Sequence, residues 1–224
     1  MERRPTIAVV GGTGDLGSAL AGRWAAAGYP IVLGSRSKEK AEAAAQAMRV
    51  ATDSASISGE DNLGAAQTAD IVVVAVPYAG HDAILSEIKP AVAGKIVVDA
   101  VVPLVPPKVS VVQLPPDGSA AQCAQRLLAG AARVVSAFHN VGASKLHAGG
   151  TVDCDVLVFG DDKAARDVVV ALADAAGTRG VDGGVLANSA AAEALTSVLI
   201  GINRRYKVDG AGIRITGLSM SQAR

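Results

Sequence analysis

The sequence predicts an α/β fold in which a parallel sheet is wound on both faces by helices, and three observations lead to it. A short β-branched run, Ile7-Ala8-Val9-Val10, passes straight into a glycine-rich turn and then a helix. Further short apolar runs alternate with helical stretches along the chain. Half of the 224 residues are apolar while only 3% are aromatic, so the core has to be built from Ala, Val, Leu and Ile. One large domain, or one with a small appendage, is the natural count at this length.

The first run reads as a central parallel strand buried on both faces. Gly12-Thr13-Gly14-Asp15-Leu16-Gly17 then has the G-x-G-x-x-G spacing. Gly12 permits the tight turn, Gly14 lets the backbone approach a pyrophosphate, and Gly17 lets the helix pack closely on the strand. The helix N-terminus supplies free N–H groups for the phosphates. That helix runs from Asp15 to Ala27, with Leu16, Leu20 and Trp24 on one face and Gly28 ending it. The expected architecture is therefore a Rossmann-type doubly wound parallel sheet that binds a dinucleotide.

A second strand follows at Ile31-Val32-Leu33-Gly34, and Ser35-Arg36-Ser37-Lys38-Glu39-Lys40 opens a helix to about Met48. Enzymes that use NAD place a carboxylate at the end of this strand to bind the ribose 2′-hydroxyl. Ser35 and Arg36 stand there instead, and a hydroxyl with a guanidinium suits the 2′-phosphate of NADP. Cations in a first helical turn oppose the helix dipole by about 0.3–1 kcal/mol each. Arg36, Lys38 and Lys40 together therefore suggest an anion to be neutralised, with Arg36 the strongest candidate.

Ala55 to Gly59 is expected as a third strand, Asp61 to Thr68 as a short helix, and Ile71 to Val76 as a buried strand stopped by Pro77. The backbone of Val76, Pro77 and Tyr78 lies where ligands bind in such sheets. A helix from His81 to Ile88, a strand from Gly94 to Asp99 and a broken, proline-rich segment from Pro103 to Pro116 come next. The length of that segment suggests a binding loop. Ser119 to Ala129 reads as a helix with Ser119 as its N-cap. Arg133 to Phe138 reads as a strand running into His139-Asn140-Val141-Gly142-Ala143 at the crevice.

The remaining third holds a strand at Asp155 to Gly160, a helix at Lys163 to Ala176 and a longer helix from Asn188 to Tyr206. Leu195, Val198, Leu199 and Ile202 share a face of that last helix. No composition break separates this part, so residues 1–150 are expected to bind the nucleotide and 151–224 to form a small C-terminal α/β cap. Cys123 and Cys154 have no metal-ligand spacing and read as small core residues, and no metal is expected. His81 and His147 read as structural or exposed. The formal net charge is zero, which gives no electrostatic case for nucleic acid or a membrane surface. The start, Met1-Glu2-Arg3-Arg4, leads into an apolar run too short for a signal peptide, and no run is long enough to span a bilayer. A cytoplasmic protein is expected.

Four stretches in order, Gly11-Gly12-Thr13-Gly14-Asp15-Leu16-Gly17, Gly34-Ser35-Arg36 with Lys40, Ser136-Ala137-Phe138-His139, and Asn188-Ser189 with Glu193-Ala194-Leu195-Thr196, closely resemble the NADPH-dependent reductases of the deazaflavin coenzyme F420. The resemblance implies reversible hydride transfer between NADPH and F420, with the nicotinamide and deazaflavin rings stacked in the crevice. It implies that Thr13 to Leu16 hold the pyrophosphate, and that Ser35, Arg36 and Lys40 hold the 2′-phosphate. The His139 to Ala143 turn, including Val141 and Ala143, would abut the rings. In that turn the family often has a proline, which is absent here.

Hydride transfer between two carriers needs stacking, distance and exclusion of water rather than an acid–base pair. No catalytic residue is therefore singled out, and His139 is a candidate for positioning the deazaflavin or for shaping its loop. Ser119 is a lesser candidate for a side-chain phosphate of the deazaflavin. The alternatives are an NADP-dependent reductase of a small imine or carbonyl, like a pyrroline-carboxylate reductase, and a non-enzymatic NADP-binding redox sensor. The apolar face of the last helix makes a homodimer the expected assembly.

Overall fold

The computed structural model describes residues 3–52 and 56–218. Met1, Glu2 and Ala55, which enter the expectations above, lie outside the described residues. One sheet is formed by β1 (Ile7–Val10), β2 (Ile31–Ser35), β3 (Ile57–Asp61), β4 (Ile71–Val74), β5 (Ile96–Asp99), β6 (Arg133–Ser136), β7 (Asp155–Gly160) and β8 (Arg179–Gly184). Its order is β3-β2-β1-β4-β5-β6-β7-β8, and every pair is parallel except β6 with β7. The helices are α1 (Asp15–Ala26), α2 (Lys38–Thr52), α3 (Asn62–Thr68), α4 (His81–Ile88), α5 (Ala120–Leu128), α6 (Ala143–His147), α7 (Lys163–Ala175) and α8 (Ser189–Tyr206).

The central strands are apolar at every position because both faces are covered. Ile7, Val9, Ile31, Leu33, Ile71 and Val73 meet residues of α1, α2, α6 and α7 on one face. Ala8, Val10, Val32, Val72 and Val74 meet α3, α4 and α5 on the other. The period of two along each strand divides the core into these two layers. Trp24 of α1 is fully buried in the first layer, where its indole N–H donates to the Leu172 carbonyl at 2.8 Å. It also meets the Phe138 ring edge-on, with centroids 5.6 Å apart.

Several elements differ at their ends from the expectation. Ser35 is the last residue of β2, and α2 begins only at Lys38, because the Ser37 hydroxyl accepts from the Lys40 amide at 3.3 Å and starts the helix there. Arg36 therefore sits in the turn before α2 and not in its first turn. β4 ends at Val74 and β6 at Ser136, each two residues short of the expected end. Phe138 adopts φ +70°, which turns the chain out of the ladder. α6 and β8 were not expected, since a five-residue helix and the glycine-rich Arg-Gly-Val-Asp-Gly-Gly strand carry no periodicity. β7 and β8 extend the same sheet, so residues after 151 continue it as an antiparallel step followed by a parallel pair.

His81 is fully buried and His147 is exposed. Cys123 and Cys154 are free and buried, and burial with the neighbouring Asp117 pushes the Cys123 thiol up to about 12. On α8 the expected apolar face is divided. Leu199 is buried, Leu195 and Ile202 are half-buried, and Val198 is 47% exposed.

The buried indole ties α1 to α7 across the first layer. Replacing Trp24 with Ala is expected to cost about 3–5 kcal/mol through the cavity left behind. Trp24→Phe should cost less, about 1–3 kcal/mol, through the smaller ring and the lost indole hydrogen bond, while the Leu172 carbonyl keeps the Ala176 amide at 3.0 Å. Urea unfolding of the three proteins measures both differences.

Candidate active site

β1 and β4 lie side by side in the sheet, and the chain leaves them toward opposite layers, which opens a crevice beyond their carboxyl ends. A cleft of about 780 Å³ occupies this place. Gly11, Thr13 and Gly14 line it from the turn after β1, and Ala75, Val76, Pro77, Ala79 and Gly80 from the segment after β4. Ser35, Arg36, Ser37 and Lys40 line it from the end of β2, with Asn62 and Ile84 beside them.

The turn is shaped by backbone contact. Gly11 has φ +78°, and a Cβ there would stand 2.6 Å from the Ala75 carbonyl oxygen. A Cβ on Gly17 would stand 2.6 Å from the Gly11 carbonyl oxygen, so no side chain fits between α1 and the turn. The amides of Asp15, Leu16 and Gly17 open α1 and have no intrahelical acceptor. Gly12, Asp15, Leu16 and Gly17 thus build the turn without lining the cleft, and Leu16 packs on the core.

Ser35, Arg36 and Lys40 are brought to one wall. Neither Arg36 nor Lys40 has a carboxylate partner among the described residues, whereas Lys38 pairs with Glu60 at 2.9 Å and points out of the set. That hydrogen bond and the Glu60 charge hold the Lys38 pKa above its ordinary value. Among the described residues no Asp, Glu or His lines the cleft. Two unpaired cations beside a hydroxyl fit a phosphate dianion, and the amides of α1 across the cleft fit a second anionic group. The chemistry of the donor set therefore suits NADP, whose two anionic ends are joined by a ribose.

Asn62 was missed by sequence reasoning. It follows Asp61, whose carboxylate caps α3 by accepting from the Gly64 amide at 2.6 Å. Asn62 is 2% exposed, and its Oδ1 has no hydrogen-bond partner among the described residues. Only the pairing of β3 with β2, which sets Asp61 beside Ser35, brings it to the cleft.

His139, Val141 and Ala143 do not line this cleft. Val141 is buried and lines a smaller cavity of about 280 Å³ with Gly142, Lys145 and Cys154. His139 is 5% exposed, and its Nε2 lies 3.3 Å from the Ser136 hydroxyl. Burial pushes its pKa down to about 4, against a weaker opposing pull from Asp99. The ring is therefore neutral at pH 7.

α8 fastens this region. The Thr196 hydroxyl donates to the His139 carbonyl at 2.8 Å, and the Ser189 hydroxyl donates to Ser119 at 2.8 Å. Glu193, 1% exposed, accepts from the amides of Ala120 and Ala121 at 2.6 and 3.1 Å, at the start of α5. Burial pushes its pKa up to about 8, although those two amides pull it down. Ser119 caps α5 by accepting from the Gln122 amide at 3.0 Å and is fully buried. Nearby, His81 and Asp99 form a buried pair at 2.8 Å. Burial opposes the charge on His81, but the hydrogen bond to Asp99 and the Asp99, Asp82 and Glu193 charges outweigh it and raise its pKa.

The neutral, buried His139 makes a defined contribution to acid sensitivity. Its folded pKa of about 4 lies below the ordinary 6.5, so the unfolded chain binds the extra proton first as pH falls. The folded state should therefore lose stability between pH 6.5 and about 4, by up to about 3 kcal/mol from this residue. A His139→Gln variant is expected to flatten that part of the stability curve, measured by urea unfolding across the same range.

Comparison with known proteins matches residues 6–103 to the family described as NADP oxidoreductase coenzyme F420-dependent. The F420-dependent NADP reductase of Methanocaldococcus jannaschii is 42% identical over 223 residues, covering 96% of this chain and 99% of that protein. The F420-dependent NADP reductase of Methanothermobacter marburgensis is 41% identical over 221 residues, covering 95% and 98%. A crystal structure from Arthrobacter sp. FB24, provisionally described as an F420-dependent NADP reductase, superposes with a TM-score of 0.79 at 27% identity, covering 95% of this chain and 99% of that one. With two such relatives matched from end to end, and with the phosphate turn and unpaired cations in one cleft, the chain belongs to the F420-dependent NADP reductase family.

Proposed function

We propose that this protein transfers a hydride reversibly between NADPH and the deazaflavin coenzyme F420, in the cleft beyond β1 and β4. The observation that carries this reading is one cleft that joins the glycine turn to unpaired cations and, among the described residues, holds no carboxylate or imidazole. Full-length identity to F420-dependent NADP reductases favours it over a reductase of small imines or carbonyls and over a sensor without turnover.

NADPH supplies the hydride and the deazaflavin accepts it, so both reactive centres belong to the bound molecules. The chain's residues bind, orient and exclude water. The segment Thr13 to Leu16 holds the pyrophosphate through the amides of Thr13, Asp15 and Leu16, since the Gly14 amide donates to the Gly11 carbonyl at 3.0 Å, while Ser35, Arg36 and Lys40 hold the 2′-phosphate. Val76, Pro77 and Ile84 give the cleft an apolar wall. Residues 1–150 carry the nucleotide in this reading, and 151–224 complete the deazaflavin side. The bond from Thr196 to the His139 carbonyl supports that division, because it fastens α8 to the turn from His139 to Ala143. His139 shapes that turn and thereby positions the deazaflavin.

The assembly we propose is a homodimer through α8 and the loop after β5. Val198, Val111, Val112, Leu114, Tyr206 and Val208 are all at least 40% exposed, and Arg204 reaches the Ser110 hydroxyl at 3.4 Å to hold the loop on the helix. Large exposed apolar groups on one helix and its neighbouring loop mark an interaction surface. A cytoplasmic location agrees with the observation that no helix among the described residues is long and apolar enough to cross a membrane.

Mixing oxidised F420 with NADPH and catalytic protein should bleach the deazaflavin absorbance, and NADH should do so far less. Arg36→Ala should raise KM for NADPH about ten- to hundredfold and leave the NADH reaction unchanged, as loss of a charge-assisted hydrogen bond requires. Val198→Asp is expected to shift the protein from dimer to monomer in light scattering; a wild-type monomer would overturn the proposed assembly.

A further inference from the structure

We infer that Asn62 reads the adenosine ribose, its Oδ1 accepting a hydrogen bond from the ribose 3′-hydroxyl; this rests on the NADP reading of the cleft. A buried acceptor without a donor costs free energy unless a ligand supplies one. Asn62 Oδ1 is such an acceptor, on a residue 2% exposed that lines the cleft.

Its position selects the partner. A Cβ built on Gly34 would stand 3.2 Å from Asn62 Oδ1 and 3.3 Å from the Val10 Cα. The oxygen therefore lies at the ends of β1 and β2, between the phosphate turn and the segment bearing Ser35 and Arg36. A ribose carrying a pyrophosphate at its 5′ carbon and a phosphate at its 2′ carbon must bridge those two groups. Of its remaining oxygens, only the 3′-hydroxyl can donate a hydrogen bond, because a phosphate dianion accepts only. In NAD-binding folds a carboxylate on the second strand meets the ribose hydroxyls. Here that strand ends in Ser35 and Arg36, so the ribose acceptor has moved to the start of α3, where an uncharged amide does not repel the adjacent 2′-phosphate.

The test uses two probes, adenosine 2′,5′-bisphosphate and its 3′-deoxy analogue, titrated calorimetrically into wild type, Asn62→Ala, Asn62→Ser and Arg36→Ala. Wild type should bind the 3′-deoxy analogue about three- to tenfold more weakly than the parent, the worth of one neutral hydrogen bond. Asn62→Ala and Asn62→Ser should bind both probes with the wild type's affinity for the deoxy analogue. That retained affinity also demonstrates a folded site. Equal affinity of wild type for the two probes would overturn the inference, as would a 3′-hydroxyl effect that survives in both Asn62 variants. Those results, with Arg36→Ala still weakening both probes, would remove Asn62 alone and leave the NADP reading standing. No binding of the bisphosphate to wild type, or no effect of Arg36→Ala, would remove the NADP reading itself.

Discussion

The cleft depends on backbone meeting backbone at the end of β1. Gly11 lies against Ala75 and Gly17 against Gly11, each closer than any Cβ could stand. The first contact joins the turn to the segment leaving β4, and the second seats the amino end of α1 on the turn. Together they hold three free amides of α1 beside a strand end that faces the opposite layer. An anion site made of main-chain amides does not titrate or change rotamer, which suits the pyrophosphate of the proposed reading.

In the proposed reading, specificity for NADP is layered on this frame by side chains from β2 and the start of α2. The end of β2 contributes a nearly buried hydroxyl, and the turn after it and the start of α2 two cations that no carboxylate neutralises among the described residues, while Glu60 draws Lys38 away. Leaving two cations unpaired beside a helix start is unfavourable in the free protein. In the proposed reading, the 2′-phosphate of NADP offsets that cost on binding, which a nucleotide without the extra phosphate cannot do. Among the described residues no carboxylate or imidazole lines the cleft walls, which fits the proposed reaction, in which both carriers bring their own chemistry.

Away from the cleft, α8 satisfies polar groups that the start of α5 and the turn after β6 leave buried. Glu193 takes the first amides of α5, Ser189 meets the Ser119 cap, and Thr196 holds the His139 carbonyl. Three residues on successive turns of one helix thereby tie the antiparallel step of the sheet to its parallel part. Phe138 keeps its left-handed backbone because its ring is locked against Trp24, so the turn carrying His139 is braced from both layers.

By itself the sequence determined whatever is local in the chain. The glycine spacing after a β-branched run, the replacement of a carboxylate by Ser35 and Arg36, and the apolar strands through β5 are legible because a turn, a charge and a period of two act on near neighbours. Tertiary structure alone decided the rest. β8 has no periodicity of its own and exists because β7 offers an edge. Nothing in the helix around Glu193 shows that its carboxylate takes two amides of α5. Asn62 reads as an ordinary helix start until the pairing of β3 with β2 lays it beside Ser35. In each case the decisive partner lies far away in sequence, and no local pattern records a hydrogen bond, or the lack of one, that only the packed sheet creates.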